Sequence, residues 1–326
     1  MKAKGSSDAA EMSQLLVRIA TMYYQAHMPQ EAIAAQLGMS RQKVQRLLQS
    51  ALDEGIVEIR IHGSPLVYSE LESRLKRAFG LQEVLVAEGV PSPHGQRENV
   101  ARLAAQYLER SLRDGLTIAI GMGRNTAEIA RFFAPSSRIA STFVSAMGGS
   151  PKMDSPTNPN EICHLLAASC GGRAVTLYAP AYVESAEMRD RLLQEEIVRS
   201  TLDFARQAEM ALVGIGGTDD ECTLVRSGCF SLEEMRQLRS CSAVGDILGN
   251  YFDRRGSLIL DNGNGRLVGL TMDDLRRIPN VVAVASETGK SLALLGALRT
   301  GVVNVLISDH ENAQGILEYM EEDGTL

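Results

Sequence analysis

Two glycine-bearing turns and a late lysine are the residues of this chain best suited to holding an anion. Leu116-Thr-Ile-Ala-Ile120 reads as a buried strand, and Gly121-Met-Gly-Arg-Asn-Thr126 as a turn into a helix over 127–133. Gly121 and Gly123 let backbone amides approach a negative group, and the helix start adds the positive end of its dipole. Asn125 and Glu128 have capping-box spacing, so Asn125 and Thr126 serve equally well as helix caps. A dinucleotide fingerprint needs a third glycine, which this turn lacks, and a compact phosphate suits it better. A second turn, Gly148-Gly149, follows the apolar run 143–146. Lys290 opens a helix after the apolar run 281–285; it is placed to meet an anion, or it is a solvated surface lysine. Asp246 lies in the apolar stretch Ala243-Val-Gly-Asp-Ile-Leu-Gly, where a carboxylate accepts ligand hydroxyls or serves a turn or cap.

Catalytic and metal chemistry find little support. Asp219-Asp-Glu221 is acidic but has no neighbouring lysine or histidine for proton transfer, and an exposed loop is the better reading. No catalytic residue is assigned. The five cysteines are widely spread without a CxxC pair, and the five histidines are equally scattered. No metal ligand set and no cofactor are expected.

A second kind of chemistry is expected near the N-terminus. Helix, glycine-containing turn, helix and wing is the arrangement that lays a recognition helix in the major groove. Pro29 starts the second helix, Leu37-Gly-Met-Ser40 is the turn, and Ser40 caps the third helix. Arg41, Gln42, Lys43, Gln45, Arg46 and Gln49 line the polar side of that helix, without an acid between Ser40 and Leu52. Arginine and lysine read guanine or hold phosphates, and glutamine pairs with adenine. Gln30 and Ser40 join Arg41, Gln42, Lys43, Gln45 and Arg46 as candidate DNA contacts. The plainer alternative is a three-helix appendage with a solvated face.

These residues need elements to place them. Apolar spacing at Leu15, Leu16, Ile19, Ala20 and Tyr23 makes a first helix, while Val57, Ile59 and Ile61 alternate as a wing strand. Apolar runs at 84–87, 116–120, 143–146, 174–177, 211–215, 258–260, 281–285 and 302–307 alternate with helices such as 99–112, 161–169 and 188–207. Continuous apolar strands between helices indicate a doubly wound, mostly parallel α/β sheet covered on both faces. The expected division is a winged helix-turn-helix over 1–62, a linker over 63–69 and an effector-binding, oligomerising domain over 70–326. In such a sheet the loops after strand ends gather at one edge, so both glycine turns can face one crevice. The chain has 326 residues, 44% of them hydrophobic, and no apolar run long enough to span a bilayer. With no signal-peptide core, the cytosol is the expected address. A net charge of −7 argues against coating nucleic acid non-specifically but not against a local basic helix.

The whole chain resembles the SorC/DeoR-type sugar-binding transcriptional regulators, whose effector domain is similar to sugar-phosphate isomerases. The resemblance rests on the helix-turn-helix, Ile120-Gly-Met-Gly-Arg124, Tyr178-Ala-Pro-Ala-Tyr-Val183, Leu212-Val-Gly-Ile-Gly216, Ala243-Val-Gly-Asp-Ile247 and Lys290 with the segment through Asp309. It implies a ligand phosphate on the Gly121–Thr126 turn, the Gly148-Gly149 turn and Lys290, and sugar hydroxyls on Asp246 and Asn158. Two departures stand out: Asn125 replaces a common Thr, and Ser286-Glu287 replaces a Gly-Gly pair. Glu287 then stands close to the phosphate or points away. The expected function is a DNA-binding regulator, a repressor of a carbohydrate-utilisation operon, controlled by a phosphorylated sugar or polyol and working as a dimer or tetramer on operator DNA. A sugar-phosphate isomerase or deaminase, and a constitutive DNA-binding oligomer, are the competing readings.

Overall fold

The computed structural model describes residues 12, 14–26, 28–53, 56–57, 66–150, 156–259 and 264–325. By internal contacts the chain divides into Met1–Gly63 and Ser64–Leu326. In the first unit, helix α1 (14–20) runs into a π-helical turn, Thr21–Gln25. Helices α2 (Gln30–Leu37) and α3 (Arg41–Asp53) follow. Pro29 is extended and stands one place ahead of the helix start expected for it. Gly38 turns α2 into α3 with a left-handed φ of 63°, a conformation glycine adopts without a Cβ penalty. Ile19, Ile33, Ala34, Val44 and Leu48 form the buried core, with Leu16, Ala20 and Ala51 beside them. The expected apolar faces of all three helices therefore meet. Val57 lies in a bend, and the rest of the expected wing, 58–62, lies outside the described residues.

The second unit begins with α4 (Leu66–Phe79), so residues 66–69 of the expected linker form the first turn of a helix. Then come β1 (Glu83–Ala87), α5 (Pro93–Ser111), β2 (Thr117–Ile120), α6 (Arg124–Phe132), β3 (Thr142–Ser145), α7 (Pro159–Cys170) and β4 (Arg173–Val175). The chain continues through α8 (Ala186–Gln194), α9 (Glu196–Arg206), β5 (Met210–Gly217), α10 (Thr223–Arg226) and α11 (Leu232–Ser240). A hairpin, β6 (Ala243–Ile247) and β7 (Asn250–Asp253), precedes α12 (Met272–Leu275), β8 (Asn280–Val284), α13 (Ser291–Arg299), β9 (Val305–Asp309) and α14 (His310–Glu322).

Seven strands form a parallel sheet in the order β1-β9-β8-β5-β2-β3-β4. Side chains alternate across it: Ile118 and Ile120 join the core under α5, α6 and α7, while Ala119 joins the core under α4, α9, α13 and α14. Both faces are buried, which is why the strands read as unbroken apolar runs. The order reverses between β2 and β5, and the crevice at the carboxyl ends of such strands is where ligands bind in open α/β sheets.

Three details differ from expectation. The 258–260 run is no strand: Leu258 makes a single bridge to Phe252, and 260 lies outside the described residues. The long 188–207 helix breaks at Glu195, whose extended ψ of 128° ends α8 and starts α9. The β6–β7 hairpin was read only as an apolar stretch. It pairs antiparallel with the end of β5, and its turn, Leu248-Gly249, has positive φ at both residues, 51° and 76°.

Candidate functional site

The crevice at the switch point is lined from three strand ends. Met122, Gly123, Arg124 and Asn125 come from the start of α6; Gly214 to Gly217 from the end of β5; Glu287 and Lys290 from the β8–α13 loop. Asp246, Leu248 and Gly249 of the hairpin, Met147 and residues 222–224 complete the wall. Close approach explains the glycines of β5. A Cβ on Gly216 would lie 1.8 Å from Asp246 Oδ1, and one on Gly217 would lie 3.0 Å from Lys290 Nζ. Only bare backbone leaves room for these charged side chains.

Asp246 fills the turn role offered for it and also stands at the crevice. Its Oδ2 accepts the Gly249 amide at 2.8 Å, closing the hairpin turn, and the same buried carboxyl lines the crevice. Burial pushes its pKa up to about 6, against the opposing pull of the Gly249 amide and the Lys290 ammonium. Lys290 is no solvated lysine: it is 7% exposed, and its Nζ donates to the Ile215 carbonyl at 3.3 Å. An ammonium so enclosed keeps donors for a ligand anion.

Of the ten residues expected at the effector site, Gly123, Arg124, Asn125, Asp246 and Lys290 come together here. The other five do not line the crevice. Gly121 gives its amide to Leu212 at 2.9 Å, and a Cβ there would meet Leu248 at 2.6 Å. Thr126, fully buried, turns its hydroxyl back to the carbonyls of Gly121 and Gly123 and so braces the turn. Gly148 and Gly149 bond Val268 and Ala179 through their amides, at 2.8 and 2.9 Å. A Cβ on Gly148 would collide with the Pro180 carbonyl at 2.3 Å, so this glycine permits two loops to touch. Asn158 caps α7 by accepting the Asn160 amide at 3.1 Å.

The cap expected from Asn125 is absent. Gly123 is the N-cap of α6, and Asn125 sits inside the first turn with its side chain turned across the crevice. There it accepts from Ser286 Oγ and donates to Glu287 Oε2 at 3.2 Å. Glu287 also lies 3.5 Å from the Nε atoms of both Arg97 and Arg124. Arg97, on α5, was missed because its partner lies far away in the chain and α5 showed only helical spacing. Glu287 points inward.

In the N-terminal unit, Ser40 accepts the Lys43 amide at 3.2 Å and so caps α3 as expected. Arg41, Gln42, Lys43, Gln45 and Arg46 are all exposed along α3, and Gln30 opens α2 half-buried. Arg41 pairs with Glu31 at 3.3 Å on an open surface, a contact worth at most about 1 kcal/mol. Among the described residues no helix is long and apolar enough to cross a membrane, and no cluster of His, Cys, Asp or Glu is suited to a metal ion.

Comparison with known proteins gives this geometry a context. A family model described as "Putative sugar-binding domain" matches residues 65–318. The chain belongs to the SorC/DeoR-type sugar-binding transcriptional regulators. It is 30% identical over 308 residues to the deoxyribonucleoside regulator of Bacillus subtilis, covering 94% of this chain and 98% of that one. The full-length sorbitol operon regulator SorC of Klebsiella pneumoniae superposes with a TM-score of 0.78 at 27% identity, over 93% of this chain and 98% of its own. The sugar-binding domain of a transcriptional repressor from Vibrio fischeri gives 0.73 at 39% identity, over 78% and 99%. These relatives are regulators rather than enzymes, and the SorC-type chain described here is a transcriptional regulator with an effector domain of the sugar-binding kind.

Proposed function

We propose that this regulator represses a carbohydrate-utilisation operon and is controlled by a phosphorylated sugar or polyol held in the β2–β5 crevice. The observation that carries this is the pairing of Lys290 and Arg124 with Asp246 around one cleft. The two cations suit a phosphate, reinforced by the start of α6, and the carboxyl suits hydroxyl groups. The unit over 1–62 is the DNA-binding domain, and 70–326 binds the effector and oligomerises. The exposed face of α3 carries Arg41, Lys43 and Arg46 for phosphates and Gln42 and Gln45 for base edges, with Gln30 and Ser40 supporting them. Two half-sites require at least a dimer, and a tetramer spans an extended operator. The relatives support the assignment: one is a deoxyribonucleoside regulator, another a sorbitol operon regulator, a third a repressor.

The effector acts through a difference in its affinity for DNA-competent and DNA-incompetent arrangements. The first experiment is thermal melting of the full chain with pentose, hexose and tetritol phosphates, since a ligand that prefers the native state raises its stability. At least one phosphate is expected to raise Tm. No shift with any of them would leave a constitutive DNA-binding oligomer as the better reading.

A further inference from the structure

The crevice wall already carries a carboxylate against an arginine, and it belongs to the chain. Glu287 sits on the β8–α13 loop with 17% of its side chain exposed, between Arg97 at 19% and Arg124 at 29%. Its carboxylate is 3.5 Å from each Nε, close enough to neutralise charge. Both Nε atoms are nonetheless buried without a hydrogen-bond partner. The carboxylate thus offsets only part of the charge of the two guanidinium groups and leaves their Nε donors without an acceptor, which is a costly state for buried donors.

The loop around Glu287 is built to hold that pose. Asn125 Nδ2 donates to Oε2 at 3.2 Å, and Ser286 Oγ donates to the other end of the same amide. Asn312 Nδ2 donates to the Glu287 carbonyl at 3.1 Å. Asn312 and Ser286 are essentially fully buried, so the backbone at 287 is fixed while the carboxylate stays at the crevice wall. Asn125, Ser286 and Glu287 are therefore one bonded feature.

We propose that Glu287 is a built-in counter-anion that plugs the anion subsite, and that the effector's phosphate must displace it from Arg124 and Arg97. This rests on the reading of a phosphorylated effector and goes beyond it by naming what the effector competes with. Two arginines against one carboxylate leave the subsite short of negative charge. A dianionic phosphate corrects that and offers enough acceptors for both Nε groups. A free phosphate must win this exchange unaided. A sugar phosphate anchored by its hydroxyls on Asp246 delivers the phosphate at high local concentration. The plug makes the regulator blind to inorganic phosphate and responsive to the whole metabolite.

The test is calorimetry on the full chain with inorganic phosphate as the probe, comparing wild type, Glu287→Gln and Glu287→Gly. Glu287→Gln keeps an acceptor for Asn125 and removes the charge; Glu287→Gly removes the side chain and serves if the first variant folds poorly. Both variants are expected to bind phosphate at least about tenfold more tightly than wild type, since a like charge at the subsite opposes the ligand. Equal or weaker binding by both variants would overturn the plug. The same titration with sugar phosphates separates it from the reading beneath it. If wild type and variants bind a sugar phosphate equally, the plug is wrong and the phosphorylated effector stands. If the variants gain inorganic phosphate yet no chain binds a sugar phosphate, the plug stands and the effector reading fails.

Discussion

The hydroxyl of Ser286 donates to the side-chain oxygen of Asn125 across 161 positions of sequence, joining the first turn of α6 to the loop before α13. Both residues are buried, at 1% and 5% exposure, and Asn125 also lines the crevice. Asn125→Ala removes the acceptor and leaves the Ser286 hydroxyl without it. The expected cost is about 1–3 kcal/mol of stability, read as a lower midpoint in thermal or denaturant unfolding. A midpoint equal to that of wild type would mean that the two elements are held together by other contacts.

Gly148 separates packing from ligand binding. Its amide is taken by Val268 and the Pro180 carbonyl occupies the space of a Cβ. Gly148→Ala should therefore destabilise by about 1–3 kcal/mol through overpacking, with effector affinity nearly unchanged in the folded fraction. Weaker effector binding at unchanged stability would instead return this turn to the phosphate site.

Asp246 gives the protein a pH signature. Its pKa rises from 3.8 in the unfolded chain to about 6 in the folded one. Because the folded state holds this proton more tightly, stability is greatest below the lower value and falls as pH rises towards the upper one. The penalty is complete above about 6 and amounts to roughly 3 kcal/mol at most. Asp246→Asn lacks this group, so wild type should lose stability relative to the variant across pH 4 to 6. Parallel stability curves for the two proteins over that interval would show that burial does not raise this carboxyl.

On α3, Arg46→Ala and Lys43→Ala should each weaken operator binding and lower the salt dependence of log affinity by about one phosphate's worth. Gln42→Ala should cost about 1–3 kcal/mol on the preferred operator and relax its sequence preference, if its amide reads a base edge. Fluorescence anisotropy at several salt concentrations measures both. Unaltered affinity and slope in all three variants would move the DNA surface off this helix.

Much of this architecture could be read from residue patterns, for physical reasons. Strands buried on both faces must be apolar throughout, so β1, β2, β3, β5 and β8 announced themselves. Helices α2 and α3 were visible because Gly38 and Ser40 carry their own turn and cap chemistry. The β6–β7 hairpin was not, because Gly245 and Asp246 break the apolar alternation at the positions where a neighbouring backbone and the crevice require them. The glycine turns misled in part. A glycine that lets an anion approach and one that lets another loop approach look alike in sequence, and at Gly148 the Pro180 carbonyl stands where a Cβ would be. Thr126 looked like a ligand or cap residue, yet its hydroxyl faces back into its own turn. Arg97 and Glu287 form a contact 190 positions apart. No local pattern carries that information.

The most direct test of the account is operator affinity with and without saturating effector, comparing a stabilising sugar or polyol phosphate with its dephosphorylated parent. The account predicts that the phosphate changes affinity for operator DNA by about 5- to 150-fold, that the parent does not, and that Lys290→Met abolishes the response while leaving ligand-free DNA binding intact. Unchanged affinity under saturating phosphate, or an equal response to the parent sugar, would contradict it.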